Sequence, residues 1–372
     1  MDIGRRMTGT YSCDKAAKYI YEHFEKLNLN PKYHYWEGFG DYYHQGFYKS
    51  QNIEATLYGI DNSNDEILMV NAHYDTLRTS PGANDDGSGT VAVLAAAYVL
   101  SQFEFNRTIK FVTFSGEEVG LIGSRDYVKK IYTNNENIFL DINADTIGRA
   151  VTAEGGRNMG IGGTEDSLWI LDLIENISKE YGMNFKLRRY QIDRDADRGW
   201  SDYWAFLQYG YESITCWGSS DGDPNYHTEN DNYDNINFSY LVNTTRHIVG
   251  ALAYLADFEN PYPQIKIVNP KKGRLYYKDR ILLDFLYERT VVLKDVHIIA
   301  EVKPGNEKIE KVEFYYDDNL EYTDKDLPYE WCLNKTSLGV HKVKVIAYDQ
   351  EGKTSTDQVK FFYLYIFNKS KK

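Results

Sequence analysis

The sequence predicts an α/β domain with a mostly parallel mixed sheet and helices on both faces, followed by a smaller all-β domain. Up to about residue 256, short apolar runs alternate with longer stretches of helical periodicity, which is typical of α/β domains. From about residue 264 onward, apolar residues recur at every second position, as in strands with one buried face. A chain of 372 residues is long enough for both domains.

The elements of the first domain follow from its apolar pattern. A first helix is predicted over 13–27, where apolar side chains recur at helical spacing. Four short apolar runs, 67–70, 109–114, 138–140 and 213–216, are predicted strands. Because these runs lack polar alternation, we expect them to be parallel strands buried on both faces. Functional sites in such sheets form beyond the carboxyl ends of the strands.

Composition excludes several classes of protein. The apolar run Val91–Leu100 is far shorter than the roughly 20 residues of a membrane span, so it predicts a buried helix and no span. Acidic residues outnumber basic ones by 55 to 42, and a net charge of -13 argues against nucleic-acid binding. Three widely spaced cysteines form neither a disulfide framework nor a CxxC site. No apolar h-region follows the amino terminus, so no signal peptide is expected in this sequence.

Prolines mark the boundary between the two domains. A helix is predicted over 240–256, and Pro261 and Pro263 would prevent it from continuing. We therefore expect one domain over 1–258 and a second over 259–372.

The second domain is expected to be an immunoglobulin-like β-sandwich. Val312, Phe314 and Tyr316 alternate with charged or polar neighbours, and so do Val343 and Val345. We expect no catalysis in this domain. Its expected role is to pack against the first domain or to bind a surface or a polymer.

Polar residues follow the predicted strands of the first domain. His73 and Asp75 end the first run and point to the same side of an extended chain, so the carboxylate could orient the imidazole. Alone, such a pair is more often structural. Asp85 and Asp86 lie in a glycine-rich turn just before the apolar run that predicts a helix. Their ordinary interpretation is a helix N-cap.

Further acidic residues repeat this arrangement. Glu117 and Glu118 follow the second run, Asp145 follows the third, and Tyr226 and His227 lie in a loop rich in Asp and Asn. A solvated turn or loop is the ordinary interpretation of each, and the loop has no EF-hand spacing for calcium. Together, however, they place two imidazoles and several carboxylates at the ends of successive strands. Histidine and carboxylate without thiolate favour Zn, Mn or Co in an open catalytic site, and a shared carboxylate favours a metal pair.

In these motifs the sequence resembles the co-catalytic di-zinc aminopeptidase family, which includes aminopeptidase Y, bacterial leucyl aminopeptidases, glutamate carboxypeptidases and glutaminyl cyclases. The resemblance covers about residue 5 to residue 258. His-x-Asp, Gly-Ala-Asn-Asp-Asp-Gly-Ser-Gly, Gly-Glu-Glu, Asn-x-Asp-x-x-Gly and Tyr-His-Thr occur in the family's order and approximate spacing. The resemblance implies a di-zinc peptidase domain with the zinc exopeptidase fold over 1–258.

The resemblance also implies the metal ligands. Two Zn²⁺ ions are expected per chain, with Co²⁺ or Mn²⁺ as substitutes. Asp85 would bridge the two ions, His73 and Asp145 would complete one site, and Glu118 and His227 would complete the other.

The same resemblance implies supporting roles for other residues. Asp75 would orient a ligand, Glu117 would act as general base on a metal-bridging water, and Tyr226 would donate a hydrogen bond to the oxyanion. The Asp85–Asp86 peptide is expected to be cis.

The sequence departs from the family's pattern at two positions. Thr146 stands where many relatives have Met, and Trp200 stands where some aminopeptidases carry Arg. Arg198 is a candidate substitute anchor for substrate, with an ordinary surface arginine as the alternative.

The predicted function is that of a metallo-exopeptidase, and an aminopeptidase acting on peptide substrates is preferred. The alternatives are a carboxypeptidase or a glutaminyl cyclase of the same fold, or a catalytically silent binding or adhesion protein. Retention of all five ligands and the base favours catalysis. The resemblance and the second domain together indicate a secreted or cell-envelope protein.

Overall fold

A computed structural model of the chain describes residues 4–61, 64–183, 185–194, 199–259, 261–284 and 290–365. By its internal contacts the chain divides into two units, Met1–Phe258 and Glu259–Lys372.

Unit 1 alternates strands and helices over most of its length. Its helices are α1 (Tyr11–Lys26), α2 (Gly87–Leu100), α3 (Ile122–Thr133), α4 (Leu168–Glu180), α5 (Tyr203–Gln208) and α6 (Phe238–Asp257). Its strands are β1 (Lys32–Phe39), β2 (Phe47–Leu57), β3 (Glu66–His73), β4 (Thr108–Phe114), β5 (Asn137–Ala144), β6 (Asn158–Gly163), β7 (Lys186–Gln191) and β8 (Ser213–Trp217). The four predicted strands correspond to β3, β4, β5 and β8.

The strands of unit 1 form one mixed sheet in the order β1-β2-β4-β3-β5-β8-β6-β7. Strands β4, β3, β5 and β8 are mutually parallel at its centre, and β6 and β7 are also parallel. The remaining neighbours are antiparallel. The register places His73 beside Phe114 and Ala144 beside Cys216. The carboxyl ends of the central strands therefore meet at one edge of the sheet, and the predicted fold class is confirmed.

Helices cover both faces of this sheet. Along β3, Leu68 and Val70 belong to a core cluster that also holds buried residues of α1, α2, α4 and α6. Met69 lies on the opposite face, in a cluster with residues of α3 and α5. Successive side chains of a strand point to opposite faces, so a continuous apolar run requires this two-sided cover.

Helix α2 is less completely buried than its composition predicts. Val93, Ala96 and Ala97 are inaccessible to solvent, whereas Val91 and Tyr98 are 49% and 57% exposed. The helix packs on β3 and against α6 with one side. Among the described residues, no helix is long and apolar enough to cross a membrane.

Unit 2 is built from strands. They are β9 (Gln264–Asn269), β10 (Arg274–Tyr277), β11 (Arg280–Asp284), β12 (Val291–Leu293), β13 (Val296–Lys303), β14 (Ile309–Tyr316), β15 (Asn319–Asp324), β16 (Tyr329–Leu333), β17 (Ser337–Asp349) and β18 (Thr354–Tyr365). One sheet has the order β11-β10-β12-β18-β17-β14-β15, and the other has the order β16-β13-β9. Both sheets contribute to one hydrophobic core, so the all-β prediction is confirmed.

The alternation predicted for β14 has one exception. Val312, Phe314 and Tyr316 are buried as expected, but Glu313 between them is also buried, at 7% exposure. Its carboxylate accepts hydrogen bonds from Lys311 Nζ and Tyr315 OH, both at 2.6 Å. Because both oxygens have donors, the carboxylate is tolerated away from water.

Candidate active site

Segments that follow the central strands bring the predicted residues together. His73 ends β3, Glu117 and Glu118 follow β4, and Asp145 follows β5 directly. Asp85 lies two residues before α2, which packs on β3. Parallel strands end at the same edge, so side chains distant in sequence meet there.

The carboxylate of Asp85 faces both predicted histidine ligands. Asp85 Oδ1 lies 3.2 Å from His73 Nε2, and Asp85 Oδ2 lies 3.0 Å from His227 Nε2. Asp145 Oδ2 lies 3.9 Å from His73 Nε2, and Glu118 Oε2 lies 3.6 Å from His227 Nε2. The structure therefore brings all five predicted ligand residues together, with the Asp85 carboxylate between the two histidines.

Two groups of ligand atoms are compact enough to hold a cation. Asp85, Glu118 and His227 form one group, in which the ligand atoms lie within 4.8 Å of one another. His73, Asp145 and Glu117 form the second at the same spacing. Glu117, predicted as a base rather than a ligand, thus lies on the His73 side, with its Oε2 3.9 Å from His73 Nε2.

The burial of these carboxylates is what a site that binds a metal cation would require. Asp85 Oδ2 is buried and makes no hydrogen bond within the described chain. Burial raises the pKa of Glu118 to about 9 and that of Asp145 to about 6, because nearby carboxylates add to the cost of ionisation. A divalent cation would offset this cost, and a donor set of imidazole and carboxylate suits zinc.

Asp86 differs from Asp85 in its partners. Its Oδ1 accepts hydrogen bonds from Gly89 N at 2.9 Å and from Thr146 N at 3.1 Å, while its Oδ2 accepts one from His73 N at 3.2 Å. The N-cap interpretation is therefore correct for Asp86, whereas Asp85 points into the site. The peptide bond between them is cis, as the resemblance implies.

Asp231 anchors the loop that carries His227. Its carboxylate is almost fully buried and accepts hydrogen bonds from Asn84 N at 2.7 Å and Asp85 N at 3.0 Å. The expectation of a solvated loop is thus wrong at this residue, because it supplies acceptors to the backbone of the metal-ligand turn. No spacing in the sequence indicates this contact, which joins residues 146 apart along the chain.

Asp75 lies beside His73 as predicted, but the shortest contact is not with its carboxylate. His73 Nδ1 lies 3.2 Å from the Asp75 carbonyl oxygen and 3.6 Å from Asp75 Oδ1. Asp75 Oδ2 accepts a hydrogen bond from Thr8 Oγ1 at 2.7 Å, and Oδ1 accepts one from Glu117 N at 3.4 Å. The residue therefore connects the orientation of His73 to the backbone of Glu117.

Arg6 is a residue that sequence reasoning missed. Besides the nearby Gly4 carbonyl, its guanidinium donates hydrogen bonds to three carbonyl oxygens distant in sequence, those of Tyr74 at 2.7 Å, Pro81 at 2.9 Å and Gly82 at 2.8 Å. It thereby fixes the segment between β3 and the metal-ligand turn. A basic residue near the amino terminus carries no motif, so only the fold assigns it this role.

Glu117 has the environment of a group poised for proton transfer. Its side chain is 14% exposed. Burial, followed by the negative charges of Asp202, Glu118 and Asp145, raises the pKa of Glu117 well above its usual value, against the opposing effect of His73. Asp202, another residue that the sequence did not single out, is fully buried, and burial raises its pKa to about 7.

Tyr226 covers His227. The two ring centres lie 3.7 Å apart at an interplanar angle of 21°, and the tyrosine is half exposed. Partial burial of its hydroxyl and the charges of Asp85 and Asp145 raise the pKa of Tyr226. The hydroxyl therefore stays protonated at neutral pH and can donate a hydrogen bond.

The structure describes Trp200, which stands where some aminopeptidases carry Arg. Trp200 is 85% exposed and lines no described cavity. Arg198 lies outside the described residues.

The chain belongs to peptidase family M28, whose sequence profile matches residues 52–252, more than half of its length. The resemblance of the motifs is thus confirmed at the level of the family. Leucine aminopeptidase 2 of Trichophyton rubrum is 28% identical over 247 residues, which cover 60% of this chain and 47% of that protein. The chain spans about half the length of the curated relatives it matches.

Solved structures share the fold of unit 1. BSAP, a zinc aminopeptidase from Bacillus subtilis, is 20% identical with a TM-score of 0.59, and the match covers 69% of this chain and 92% of that one. A glutaminyl cyclase from Fimbriiglobus ruber is 18% identical with a TM-score of 0.58, with coverages of 68% and 90%. At these identities the structures establish the fold, which is common to proteins of different activity.

Proposed function

We propose that the protein is a metallo-aminopeptidase that removes amino-terminal residues from peptides. The observation that carries the proposal is the position of Asp85, whose two oxygens lie 3.2 Å and 3.0 Å from the Nε2 atoms of His73 and His227. A carboxylate shared in this way, in a chain of peptidase family M28, favours a pair of metal ions.

The proposed ligand sets are those that the family resemblance implies, and the distances are compatible with them. His73, Asp145 and Asp85 would hold one Zn²⁺, and Glu118, His227 and Asp85 would hold a second, with Co²⁺ or Mn²⁺ as substitutes. A zinc pair supplies a water that loses its proton near neutral pH and a Lewis acid for the scissile carbonyl.

Glu117 is the proposed general base. Its carboxylate borders the His73 group, and its backbone is held by Asp75. An ionised carboxylate in this position would take a proton from the attacking water and deliver it to the leaving amine.

Tyr226 is the proposed donor to the oxyanion. Its hydroxyl is protonated at neutral pH, and stacking on His227 fixes the ring beside the site. A neutral donor held in place favours the charged tetrahedral state over the neutral substrate.

The names of relatives support the proposed polarity of the exopeptidase. The relative from Trichophyton rubrum is named a leucine aminopeptidase, and one from Saccharomyces cerevisiae is named aminopeptidase Y. Both names favour aminopeptidase action over the carboxypeptidase alternative.

The test compares aminoacyl p-nitroanilides with amino-blocked and carboxy-terminal reporter peptides, using zinc-loaded wild type and Glu117→Gln. Wild type should cleave free-amine substrates alone. Glu117→Gln should lower kcat by roughly 10²- to 10⁴-fold while binding as much zinc, because only proton transfer is removed. Glu104→Gln, an exposed change of equal charge, is the matched control.

Other outcomes would support the alternatives. Cleavage of amino-blocked peptides alone would make the protein a carboxypeptidase. Release of pyroglutamyl product from amino-terminal glutamine would make it a cyclase, whose fold unit 1 shares. No turnover despite bound zinc would favour a binding or adhesion protein.

We further propose that 1–258 is the peptidase domain and that 259–372 is an immunoglobulin-like domain that packs on it or binds a surface or polymer. The contact boundary after Phe258 and the all-β architecture of unit 2 support this division. An accessory all-β unit also supports secretion or export to the cell envelope, which fractionation of the source cells would test.

A further inference from the structure

A cavity of 240 Å³ borders the candidate active site. Three of its lining residues are chain neighbours of the proposed metal ligands: Asn84 precedes Asp85, Thr146 follows Asp145, and Tyr226 precedes His227. This volume is many times the roughly 10 to 15 Å³ that one buried water needs on the same measure, so the cavity has room for a group of several non-hydrogen atoms. One amino-acid side chain is a group of this size.

One wall of the cavity is a fixed indole. Trp217 ends β8, and its ring stacks on Tyr190 with 5.4 Å between centres and an interplanar angle of 20°. A Cβ atom on Gly160 would lie 2.9 Å from Trp217 Cδ1, and one on Gly162 would lie 3.1 Å from its Cη2. Because glycine alone leaves room for the indole, this wall is set before any ligand binds.

The same cavity contains an ion pair between Arg149 and Asp223. Arg149 Nε lies 3.1 Å from Asp223 Oδ1, and each side chain is 13% exposed. Asp223 Oδ2 accepts a hydrogen bond from Asn84 Nδ2 at 2.8 Å, and Oδ1 accepts one from Asn225 N at 2.9 Å. Both oxygens of Asp223 are therefore engaged.

The guanidinium of Arg149 is less satisfied. Its Nε is buried without a hydrogen bond of acceptable geometry, and no described residue accepts one from its terminal nitrogens. The Arg149 side chain thus offers hydrogen-bond donors of positive charge in the cavity, whereas both oxygens of Asp223 already have partners.

We propose that this cavity binds the side chain of the substrate's amino-terminal residue and that Arg149 makes it select side chains ending in a carboxylate or carboxamide oxygen, as in Glu and Gln. The inference rests on the proposed aminopeptidase function. In this arrangement Asp223 holds the guanidinium in place, and Trp217 covers the methylene groups of the substrate side chain. The terminal oxygen of that side chain accepts a hydrogen bond from Arg149. A leucine side chain accepts no hydrogen bond, so it would leave the terminal nitrogens of Arg149 without the acceptor that Glu or Gln supplies, which is how polar sites reject apolar analogues.

The kinetic test measures kcat/KM for Glu, Gln and Leu p-nitroanilides with wild type, Arg149→Met and Arg149→Lys. Wild type should prefer Glu and Gln. Arg149→Met should lower kcat/KM for these two by roughly 10- to 100-fold, because a charged hydrogen bond is lost, while kcat/KM for Leu should stay the same or rise, because donors that Leu cannot match are removed. Lysine should restore part of the loss, and Arg157→Met on the exposed surface should change nothing.

A binding test keeps the inference separate from the catalytic proposal. Calorimetry would measure free Glu, Gln and Leu binding to zinc-loaded Glu117→Gln, with and without Arg149→Met. Weaker binding of Glu and Gln alone supports the inference even if no reporter is cleaved. A larger loss for Glu than for Gln would identify the ionised carboxylate as the preferred ligand.

Three results would overturn the inference. The first is a preference for Leu by both measures. The second is an equal loss for all three residues in Arg149→Met with unchanged thermal stability. The third is a loss confined to amino-blocked peptides, which would mean that Arg149 anchors a carboxy-terminal carboxylate.

Discussion

Asp85 and Asp86 are adjacent in the chain, yet their carboxylates have different partners. Asp86 accepts from three backbone N–H groups at the ends of β3 and β5 and at the start of α2. Asp85 faces His73 and His227 instead. The hydrogen bonds of Asp86 thus fix the backbone of the turn, and this position lets the Asp85 carboxylate reach a metal.

At this scale, Tyr226→Phe tests the oxyanion role. The phenyl ring can still stack on His227, so zinc content and KM should be retained. Removing one oxyanion donor should lower kcat by roughly 10²- to 10³-fold. Steady-state kinetics on the best p-nitroanilide would measure this, with exposed Tyr233→Phe in the same loop as control. An unchanged kcat would assign the oxyanion to another donor.

Among the elements, β1, β2, β4 and α3 meet at a buried charge cluster centred on Glu54. Tyr127 OH donates to Glu54 Oε2 at 2.6 Å, and Lys110 Nζ and His34 Nε2 each lie 3.3 Å from the same oxygen. Burial alone would raise the pKa of Glu54, but His34, Lys110 and Tyr127 together lower it to about 2. The ionised carboxylate therefore ties the four elements together.

Glu54→Gln should change how strongly the free energy of unfolding depends on pH in the acid range. A folded pKa of about 2, below the unfolded value of about 4.3, gives stability that is complete above pH 4.3 and lost as pH falls towards 2. The size of this contribution is about 3 kcal/mol. Urea unfolding of metal-free protein between these pH values should show a shallower decline for the variant than for wild type.

The Glu104→Gln variant serves again as control, since its carboxylate is exposed and should leave the wild-type slope intact. Equal slopes in Glu54→Gln and wild type would mean that the cluster carries no pH-dependent stability.

At the scale of the whole molecule, the predicted site residues are confined to one of the two units. All predicted site residues lie in unit 1, which has its own hydrophobic core, and unit 2 has a separate core. Each unit therefore satisfies the physical requirement for folding alone.

Residues 1–258 expressed alone should fold and keep the kcat/KM of the full chain for p-nitroanilides. Thermal unfolding and steady-state kinetics of both forms would test this. Loss of activity in a folded fragment would show that unit 2 contributes to the site, and failure to fold would show that unit 1 depends on it.

The sequence by itself determined the fold class and the residues gathered at the site. Apolar runs bury on both faces only as covered parallel strands, and such strands end at one edge, so His73, Asp145 and the Glu117–Glu118 pair could be placed together in advance. Family motifs supplied Asp85, Tyr226 and His227. The prediction of the strands depends on local periodicity, which the chain displays directly, whereas the ligand assignments depend on the resemblance of its motifs to those of the family.

Only the tertiary structure decided which atoms support that site. Arg6 reaches carbonyl oxygens about 70 residues away, Asp231 accepts from Asn84 N and Asp85 N, and Arg149 lies in a cavity walled by Trp217. Such contacts join single side chains to backbone or to each other across the fold. They leave no periodic trace in the sequence, because a hydrogen bond depends on distance and angle rather than on position along the chain.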